Sequence, residues 1–361
     1  MAVVVGWDIG GAHLKAARAE NGRIVDAVQI ASPLRLGLER LAQSFAEAKA
    51  RMGTADRHVV THVVTMTGEL ADTFASRAEG VLSLTEAALR ELSPARVTIY
   101  AGRAGFVAPA DAGRHIADIA SANWFASASV VGKAIGSALF MDMGSTTTDI
   151  VPVLDGAVAG RGYTDAERLA HGELVYTGLV RSFLMATADR APFAGCWTGL
   201  IRENFATMAD VHRILGLLPE GADQMTTADG RPKTVAASQA RIARMVGRDV
   251  DDADAPAWAA LAQWFAEAQI RAATDGAMLV LSQGSLPAGA PIVAAGVGAA
   301  VVREVARRLG RDSVDFGSVL DVAPRARPAA SDSAPAAALA VLASLTEDRH
   351  AGASPEQREG R

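Results

Sequence analysis

The chain has 361 residues, with 35 basic and 40 acidic side chains and a formal net charge of -5. This length allows two domains of ordinary size, each with its own core. Because there is no long basic run, the charge balance gives no indication of a nucleic-acid surface, whereas a small anionic ligand stays open.

Cysteine use and hydropathy predict a cytoplasmic protein without membrane contact. Cys196 is the single cysteine, so no disulfide within the chain and no cysteine-based zinc cluster can form. The apolar start is interrupted by Asp8, which fits neither a signal peptide nor a membrane anchor. The longest uncharged stretch, 276–302, is broken by Pro287 and Pro291, so we expect no membrane span there.

The first third of the chain predicts a β-hairpin followed by helices and strands. An apolar run ends at Asp8, small residues follow, and a second strand leads to the turn dipeptide Asn21-Gly22. Apolar spacing and β-branched content then predict, in chain order, a helix over 36–52, a strand over 58–66, helical residues over 68–91, a strand over 96–100 and a helix that contains Asn123 and runs to Ile135.

A second hairpin of the same design begins at Ala138. Asp142 and the turn dipeptide Asp155-Gly156 each stand 134 positions after their counterparts in the first hairpin, so the two copies superpose without a gap. The duplication predicts two similar halves. They cover 1–136 and 137–345, and a polar tail over 346–361 is expected to be disordered.

The second half also carries a mainly helical insertion, at about 162–290, with helices expected over 236–246 and 257–281. We expect this insertion to shape the substrate side of a site. The strand 291–295 then leads through Gly296 and Gly298 into a helix that ends near Leu309. This pattern predicts a second anion or nucleoside contact, with a tight turn for close packing as the alternative.

The small-residue turns of the two hairpins are typical of phosphate binding, because backbone N–H groups can approach an anion there and hydroxyls add donors. If the two copies pack about a pseudo-twofold axis, Asp8 and Asp142 face each other across a cleft and hold Mg²⁺ or accept a proton. An ordinary strand-turn-strand is the alternative. The candidate phosphate contacts are Gly10, Gly11, Lys15, Gly144, Ser145, Thr146 and Thr147.

Two further carboxylates are candidates for proton transfer. Asp149 occupies the position in the second hairpin that Lys15 has in the first, where a solvated lysine is the alternative to a phosphate contact. Glu173 lies between Gly172 and Gly178, which favour a break that lets it point into a site. Capping and interhelical hydrogen bonds are the structural alternative for Glu173.

Two pairs of side chains are candidates for substrate contact. Asn123 and Trp124 begin a predicted helix as a polar-aromatic pair, although tryptophan is more often a core residue. Arg241 and Arg244 lie at helical spacing and could reach a diphosphate. A solvated helix face is the alternative for the arginines.

Five segments together resemble one known family. They are 66–72 (MTGELAD), 121–124 (SANW), 142–149 (DMGSTTTD), 171–178 (HGELVYTG) and 240–244 (ARIAR). The family is the hydantoinase/oxoprolinase-related group of tetrahydromethanopterin-linked C1-transfer pathway proteins, and the resemblance covers about residues 3–310.

The resemblance implies an α/β fold of duplicated actin-like (ribonuclease H-like) halves flanking a cleft, as in the actin, sugar kinase and Hsp70 superfamily. It also implies a transferase of methanofuran (methylofuran) biosynthesis that joins an aminomethylfuran methyl diphosphate to a tyramine- or tyrosine-type phenol and releases diphosphate. Asp8 and Asp142 would then hold Mg²⁺, while Glu173 or Asp149 could deprotonate the phenol. ATP is not expected in this interpretation.

Two other functions stay open at this point. An ATP-dependent small-molecule kinase or a hydantoinase-type amidohydrolase would use Gly296 to Ala299 to hold adenosine. A nucleotide-dependent scaffold protein would bind partners without forming a small-molecule product. The identity of the phenolic acceptor and the oligomeric state are also open, with a homo-oligomer as one option.

Overall fold

A computed structural model describes residues 3–54 and 60–352. These residues form two compact units. Unit 1 contains the chain up to Ser137, Val153–Ala159 and the segment from Val314 onward, whereas unit 2 contains Ala138–Pro152 and Gly160–Ser313. Each unit is built around its own β-sheet and buried apolar core.

The chain alternates strands and helices over most of its described length. The strands are β1 (Val3–Ile9), β2 (His13–Glu20), β3 (Arg23–Ala31), β4 (Val60–Met66), β5 (Arg96–Tyr100), β6 (Phe106–Val107), β7 (Ala138–Met143), β8 (Thr148–Leu154), β9 (Ala157–Val158), β10 (Leu174–Val175), β11 (Arg190–Phe193), β12 (Cys196–Gly199), β13 (Ile292–Ala295) and β14 (Ser313–Asp315). The helices are α1 (Leu38–Arg51), α2 (Arg77–Leu92), α3 (Ile116–Ile119), α4 (Asn123–Ile135), α5 (Asp165–Ala170), α6 (Leu184–Thr187), α7 (Met208–Ile214), α8 (Val235–Met245), α9 (Ala255–Leu281), α10 (Ala299–Arg308), α11 (Arg327–Asp332) and α12 (Ala334–Gly352).

The unit 1 sheet has the strand order β3-β2-β1-β4-β5-β6. Strand β1 is antiparallel to β2 and parallel to β4, and all seven of its residues are buried, as its apolar run predicts for a strand covered on both faces. Helix α12 packs on one face, where a Cβ atom at Gly6 would overlap the carbonyl oxygen of Ala336. Only glycine therefore allows this close approach of helix and strand.

The second sheet has the order β10-β8-β7-β13-β14, with β9 also paired to β8. Strand β7 is parallel to β13, so it has the place that β1 has beside β4. In both sheets a hairpin contributes the first two strands and a parallel strand from later in the chain extends the sheet. This shared topology confirms the duplication; the unit boundaries fall inside β8 and β14.

The helical insertion has its own apolar core, in which Trp258 and Phe265 of α9 are buried. Helix α9 begins at Ala255 because the side chain of Asp254 accepts the backbone N–H of Ala257, and it continues for 27 residues. The helices predicted over 236–246 and 257–281 are thus confirmed, as α8 and α9, with ends shifted by one or two residues.

Two predicted boundaries differ from the structure. Helix α2 begins at Arg77 instead of residue 68, because Ser76 caps it and residues 68–76 form turns beyond the end of β4. Helix α12 continues to Gly352, into the tail that was predicted to be disordered from residue 346. The rest of that tail, 353–361, and the predicted start of β4 at 58–59 lie outside the described residues.

No single helix in the described ranges has the length and hydropathy to cross a membrane, although the bent pair Pro324–Asp332 and Ala334–Thr346 passes that test by length and composition.

Candidate functional site

Each unit places one buried aspartate near the end of the first strand of its hairpin. Asp8 of β1 is 4% exposed, and Asp142 of β7 is 7% exposed. The turns that follow have the same closing hydrogen bond: Gly10 N–H donates to the carbonyl of His13, and Gly144 N–H donates to that of Thr147, both at 2.9 Å. The predicted equivalence of the two hairpins therefore extends to the hydrogen bonds of their turns.

The turn of unit 1 brings Lys15 beside Asp8. The two residues are direct partners in the β1–β2 pairing, so their side chains lie on one face of the sheet. Lys15 is half-buried, and its positive charge opposes the burial that raises the pKa of the Asp332 carboxyl. Lys15 thus lies in an electrostatic environment that includes Asp332, rather than being simply solvated.

The two glycines of this turn differ in their surroundings. A Cβ atom at Gly10 would lie 3.0 Å from the carbonyl oxygen of His13, whereas one at Gly11 would meet nothing within 4 Å. The carbonyl of Gly11 accepts the N–H of Leu34 at 3.0 Å. The turn therefore needs a small residue at position 10, whereas no atom crowds the position of a Cβ at residue 11.

Glu69 is a buried carboxylate in the same part of unit 1, and no role was predicted for it from the sequence. The N–H of Gly68 donates to the carbonyl of Ile9 at 2.9 Å, which places residue 69 next to the end of β1. The hydroxyl of Ser121 donates to Oε1 of Glu69 at 2.8 Å. Glu69 belongs to the segment 66–72, which the sequence identified only as a family motif. That motif was the one feature of the sequence that could have drawn attention to Glu69.

Asn123 and Trp124 do not both present side chains for ligand binding. The side-chain oxygen of Asn123 accepts the N–H of Trp124 at 2.8 Å at the start of α4. Trp124 is 2% exposed, and its ring packs edge-on against Phe125. The predicted substrate contact by Trp124 is therefore corrected to a core position, because a buried indole offers no surface to a ligand.

The turn of unit 2 is held from one side by the segment 177–181. The N–H group of Leu179 donates to the carbonyl of Gly144 at 3.0 Å, and those of Val180 and Arg181 donate to that of Ser145 at 3.2 and 2.8 Å. In a trans peptide the carbonyl of one residue and the N–H of the next point in opposite directions. The N–H groups of Ser145 and Thr146 consequently point away from this segment.

Side chains add further donors at the unit 2 turn. Residues 144–147 are half-buried, and the hydroxyls of Ser145 and Thr146 lie 3.4 Å apart. The exposed Arg181 donates from Nη1 to the Thr146 hydroxyl at 3.4 Å. No role was predicted for Arg181 from the sequence, although it lies three residues beyond the recognised 171–178 motif.

Gly178 lets the 177–181 segment approach the turn closely. A Cβ atom at this position would overlap the backbone of Ser145 and Thr146. Its backbone N–H donates to the hydroxyl of Ser182 at 2.8 Å. Position 178 therefore requires glycine for packing, and the packing brings Arg181 to Thr146.

Gly296 and Gly298 pack against the end of β7. A Cβ atom at Gly296, whose φ is +81°, would overlap Oδ1 of Asp142, and one at Gly298 would overlap the Met143 side chain. Gly298 N–H also donates to the carbonyl of Met143 at 2.9 Å. These contacts favour the close-packing alternative for the two glycines, and they bring the start of α10 next to the Asp142 carboxylate.

Asp149 and Glu173 have structural partners that were not anticipated. Asp149 accepts from the buried Arg168 at 2.9 Å. Both carboxylate oxygens of the buried Glu173 accept backbone N–H groups, from Arg161 at 2.6 Å and from Gly162 at 2.9 Å. These bonds favour the structural alternative for the buried Glu173, whereas the base role of the half-buried Asp149 stays a prediction, because a carboxylate has about four lone-pair sites.

The predicted diphosphate contact of Arg241 is also corrected. It is buried within the insertion, where its guanidinium forms ion pairs with Asp210 at 2.7 Å and Asp229 at 3.2 Å. A guanidinium paired in this way has no free edge for a diphosphate. Arg244, one helical turn further along α8, is half-buried.

Comparisons with known proteins decide the family. The family profile described as "Hydantoinase/oxoprolinase" matches residues 60–344. The chain belongs to the hydantoinase/oxoprolinase family. A relative from Methanocaldococcus jannaschii is 30% identical over 251 residues, which cover 68% of this chain and 72% of the relative. It is named (4-{4-[2-(gamma-L-glutamylamino)ethyl]phenoxymethyl}furan-2-yl)methanamine synthase.

A second relative and a solved structure extend this comparison. A Methanococcus vannielii protein with the same synthase name is 35% identical over 117 residues, which cover 32% of this chain and about half, 52%, of that protein. The nucleotide-free structure of an acetone carboxylase matches 93% of this chain and 70% of its own chain, with 12% identity and a TM-score of 0.52. The latter shows the fold alone, and it agrees with the duplicated actin-like topology.

The buried aspartates of this hydantoinase/oxoprolinase family member are compatible with Mg²⁺. Within the described ranges, no group of three or more His, Cys, Asp or Glu side chains could hold a metal ion. Mg²⁺ binds one or two protein carboxylates and takes substrate phosphates and water for the rest. Asp142 offers such a carboxylate, and its Oδ1 lies against the backbone at Gly296.

Proposed function

We propose that this protein is an alkyl transferase that joins an aminomethylfuran methyl diphosphate to the phenol of a tyramine- or tyrosine-type acceptor, with release of diphosphate. The proposal is supported by the two relatives, whose shared name describes a phenoxymethyl furan, that is, an ether between a phenol and a furan-bound methylene carbon. A place in methanofuran-type cofactor biosynthesis follows from that product.

The reaction makes one bond and breaks one. The phenol oxygen bonds to the methylene carbon, the bond from that carbon to the diphosphate oxygen breaks, and the phenol loses its proton. The furan ring stabilises positive charge on the methylene carbon, so the carbon–oxygen bond ionises readily. The enzyme therefore mainly has to stabilise the departing diphosphate and hold the phenol oxygen close to the carbon.

The observation that carries the proposal is the donor arrangement at the unit 2 turn. The N–H groups of Ser145 and Thr146 point away from the segment that closes the turn, and two hydroxyls and the Arg181 guanidinium lie beside them. Preorganised donors of this kind bind phosphate oxygens and stabilise the charge that develops as a diphosphate leaves. We assign the leaving diphosphate to this turn.

The unit 1 turn is assigned a similar role through its backbone at Gly10 and Gly11 and through the Lys15 ammonium group. Asp142 in unit 2 and Asp8 in unit 1 are the proposed Mg²⁺ carboxylates. Bound Mg²⁺ would neutralise part of the negative charge of the diphosphate. Since Lys15 shares a sheet face with Asp8, it adds positive charge beside that carboxylate.

The proposal needs no protein base with a free carboxylate. Glu173 and Asp149 are held by Arg161, Gly162 and Arg168, and an ionising diphosphate leaves with oxygens that can take the phenol proton themselves. The residues that orient the phenol would then matter more than a dedicated base. We expect a cytoplasmic enzyme, since Cys196 is the single cysteine.

An ATP-dependent kinase or amidohydrolase is the competing function. The feature that favours it is the strand β13, which leads through Gly296 and Gly298 into the ten-residue helix α10 beside Asp142. A helix start of this kind can bind the phosphate of a nucleotide. The kinase or amidohydrolase requires ATP, whereas the alkyl transferase does not.

The experiment that tests the proposal is a product assay. The purified protein is incubated with Mg²⁺, the furan diphosphate and a panel of phenols (tyramine, tyrosine and γ-glutamyltyramine), with and without ATP. We expect diphosphate and one coupled ether, in equal amounts and without ATP. Formation of ADP with ATP, and no ether in its absence, would reject the alkyl transferase and support the kinase or amidohydrolase.

A further inference from the structure

A buried glutamine connects helices α7 and α9 to the segment that closes the unit 2 turn. Gln269 of α9 has no solvent exposure. Its Nε2 donates to the carbonyl of Gly178 at 2.8 Å and to the hydroxyl of Thr177 at 3.2 Å. Its Oε1 lies 2.8 Å from Nε2 of His212 on α7. One side chain therefore contacts both helix α7 and the 177–181 segment.

The chemistry of these partners fixes where the protons lie. A backbone carbonyl only accepts hydrogen bonds, so the amide nitrogen of Gln269 must face Gly178 and its oxygen must face His212. The His212 ring then carries its proton on Nε2 and donates it to Gln269. Burial lowers the pKa of His212, which favours this neutral form of the ring.

The residues held by Gln269 are those that define the shape of the turn. Gly178 packs on the Ser145–Thr146 peptide without room for a Cβ atom. The carbonyl of Thr177 accepts the hydroxyl of Thr148, the residue directly after the turn, at 2.7 Å. A shift of residues 177 and 178 would thus move the peptide of the turn and the segment that carries Arg181.

We propose that Gln269 is a positioning residue for the unit 2 turn: by holding Thr177 and Gly178 it keeps the Ser145 and Thr146 donors and Arg181 in the arrangement that binds a diphosphate. The diphosphate part of this statement rests on the proposed function, whereas the ordering of the turn does not. A neutral amide suits this position because it supplies two donors and an acceptor without burying a charge.

The first test measures the turn without any ligand. Gln269→Met keeps the length of the side chain and removes its hydrogen bonds; Thr177→Val is a milder change that removes one of the acceptors. The matched control is Thr274→Val, because the Thr274 hydroxyl lies on the same helix and donates to the carbonyl of Ile270 within that helix. Hydrogen–deuterium exchange is followed at the hydrogen-bonded amides of Gly144 and of residues 177–181.

We expect exchange at these amides to rise about tenfold or more in Gln269→Met, to rise less in Thr177→Val, and to stay within about twofold in Thr274→Val, as loss of buried hydrogen bonds predicts. Equal exchange in Gln269→Met and the control would overturn the positioning role. If Gln269→Met does not fold, Thr177→Val decides by the same comparison.

The second test measures inorganic diphosphate binding in the presence of Mg²⁺ by calorimetry. Gln269→Met should bind diphosphate about tenfold more weakly than Thr274→Val does. Unchanged affinity in a variant whose turn exchanges faster would overturn the link between the turn and the ligand. Absence of diphosphate binding by the unaltered protein would count against the proposed function, and the exchange result would still decide the role of Gln269.

Discussion

Gly296 lies so close to Asp142 that a Cβ atom on residue 296 would overlap Oδ1 of the carboxylate. The backbone at Gly296 has φ +81°, a conformation that residues with a side chain rarely adopt. The backbone at the start of α10 can therefore pack against the carboxylate only because residue 296 has no side chain. The position of the Asp142 carboxylate thus depends on glycine at residue 296.

Gly296→Ala should therefore displace Asp142 as well as strain the backbone. We expect the free energy of unfolding to fall by about 2–4 kcal/mol and turnover to be largely lost, since overpacking and backbone strain act together. Urea unfolding and the ether assay measure the two effects. The control is Gly289→Ala, where a Cβ atom would meet nothing within 4 Å; equal losses in both variants would contradict the account.

Asp142→Asn should keep the fold and abolish turnover. The amide has the shape of the carboxylate but lacks the charge that a Mg²⁺ ligand needs, so we expect kcat to fall about 100-fold or more. Asp155→Asn is the control, because Asp155 is an exposed turn residue with φ +50° that asparagine readily adopts. Substantial activity in Asp142→Asn would remove Asp142 from the mechanism.

Arg181→Gln should weaken binding of the diphosphate substrate. An arginine contributes paired charged donors to phosphate oxygens, so we expect KM for the furan diphosphate to rise about tenfold or more while KM for the phenol changes little. Arg202→Gln serves for comparison, since Arg202 forms an exposed ion pair with Asp189. A KM for the diphosphate that is the same in the two variants would exclude Arg181 from the site.

Glu173→Gln separates a structural carboxylate from a catalytic base. The side-chain NH₂ of glutamine would face a backbone N–H of Arg161 or Gly162, so one of two hydrogen bonds is lost and the unfolding free energy should fall by about 1–3 kcal/mol. We expect kcat to stay within a few-fold of the unaltered protein. A large loss of kcat with unchanged urea stability would restore Glu173 as a base, with the exposed Glu203→Gln as control.

Stability should depend on pH through His62. Burial, together with the charge of Lys49, lowers the pKa of His62 from 6.5 to about 4, and its Nδ1 accepts the indole N–H of Trp7 at 3.1 Å. Folding therefore disfavours the protonated ring. The contribution is fully present above about pH 6.5 and is lost as pH falls toward about 4, where up to about 3 kcal/mol has been removed.

His62→Phe should flatten the dependence of unfolding free energy on pH between about 4 and 6.5, although it also loses the bond from Trp7. Urea unfolding at several pH values gives the slopes of the variant and of the unaltered protein. An unaltered slope in His62→Phe would show that another group is responsible.

The two hairpins could be predicted from the sequence because their signals are local. Apolar runs end at Asp8 and Asp142, small residues follow, and a turn dipeptide lies at a fixed distance, so each hairpin is specified within about twenty residues. The duplication also predicts that the two sheets have similar topologies. The same local signals gave the insertion helices α8 and α9, whose ends are within two residues of those predicted.

Arg241, whose predicted role is corrected, and Arg181, which was missed, have partners far away in the chain. Arg241 pairs with Asp210, 31 positions earlier, and Arg181 reaches Thr146 across 35 positions. Such pairings are set by how helices and loops pack, and a single sequence carries no periodicity that reports them. The partners of Glu173 could not be predicted for a different reason. They are backbone N–H groups, which every residue but proline possesses, so no residue type in the sequence marks them.

In the proposed reaction a carbon–oxygen bond breaks and no phosphoryl group is transferred. We would prepare the furan diphosphate with ¹⁸O in the oxygen that bridges the methylene carbon and phosphorus, incubate it with Mg²⁺ and the preferred phenol without ATP, and analyse the products by mass spectrometry. We expect all of the ¹⁸O to leave in diphosphate and the ether to be unlabelled. Label retained in a furan alcohol, with the diphosphoryl group transferred to the phenol or to water, would contradict the proposal.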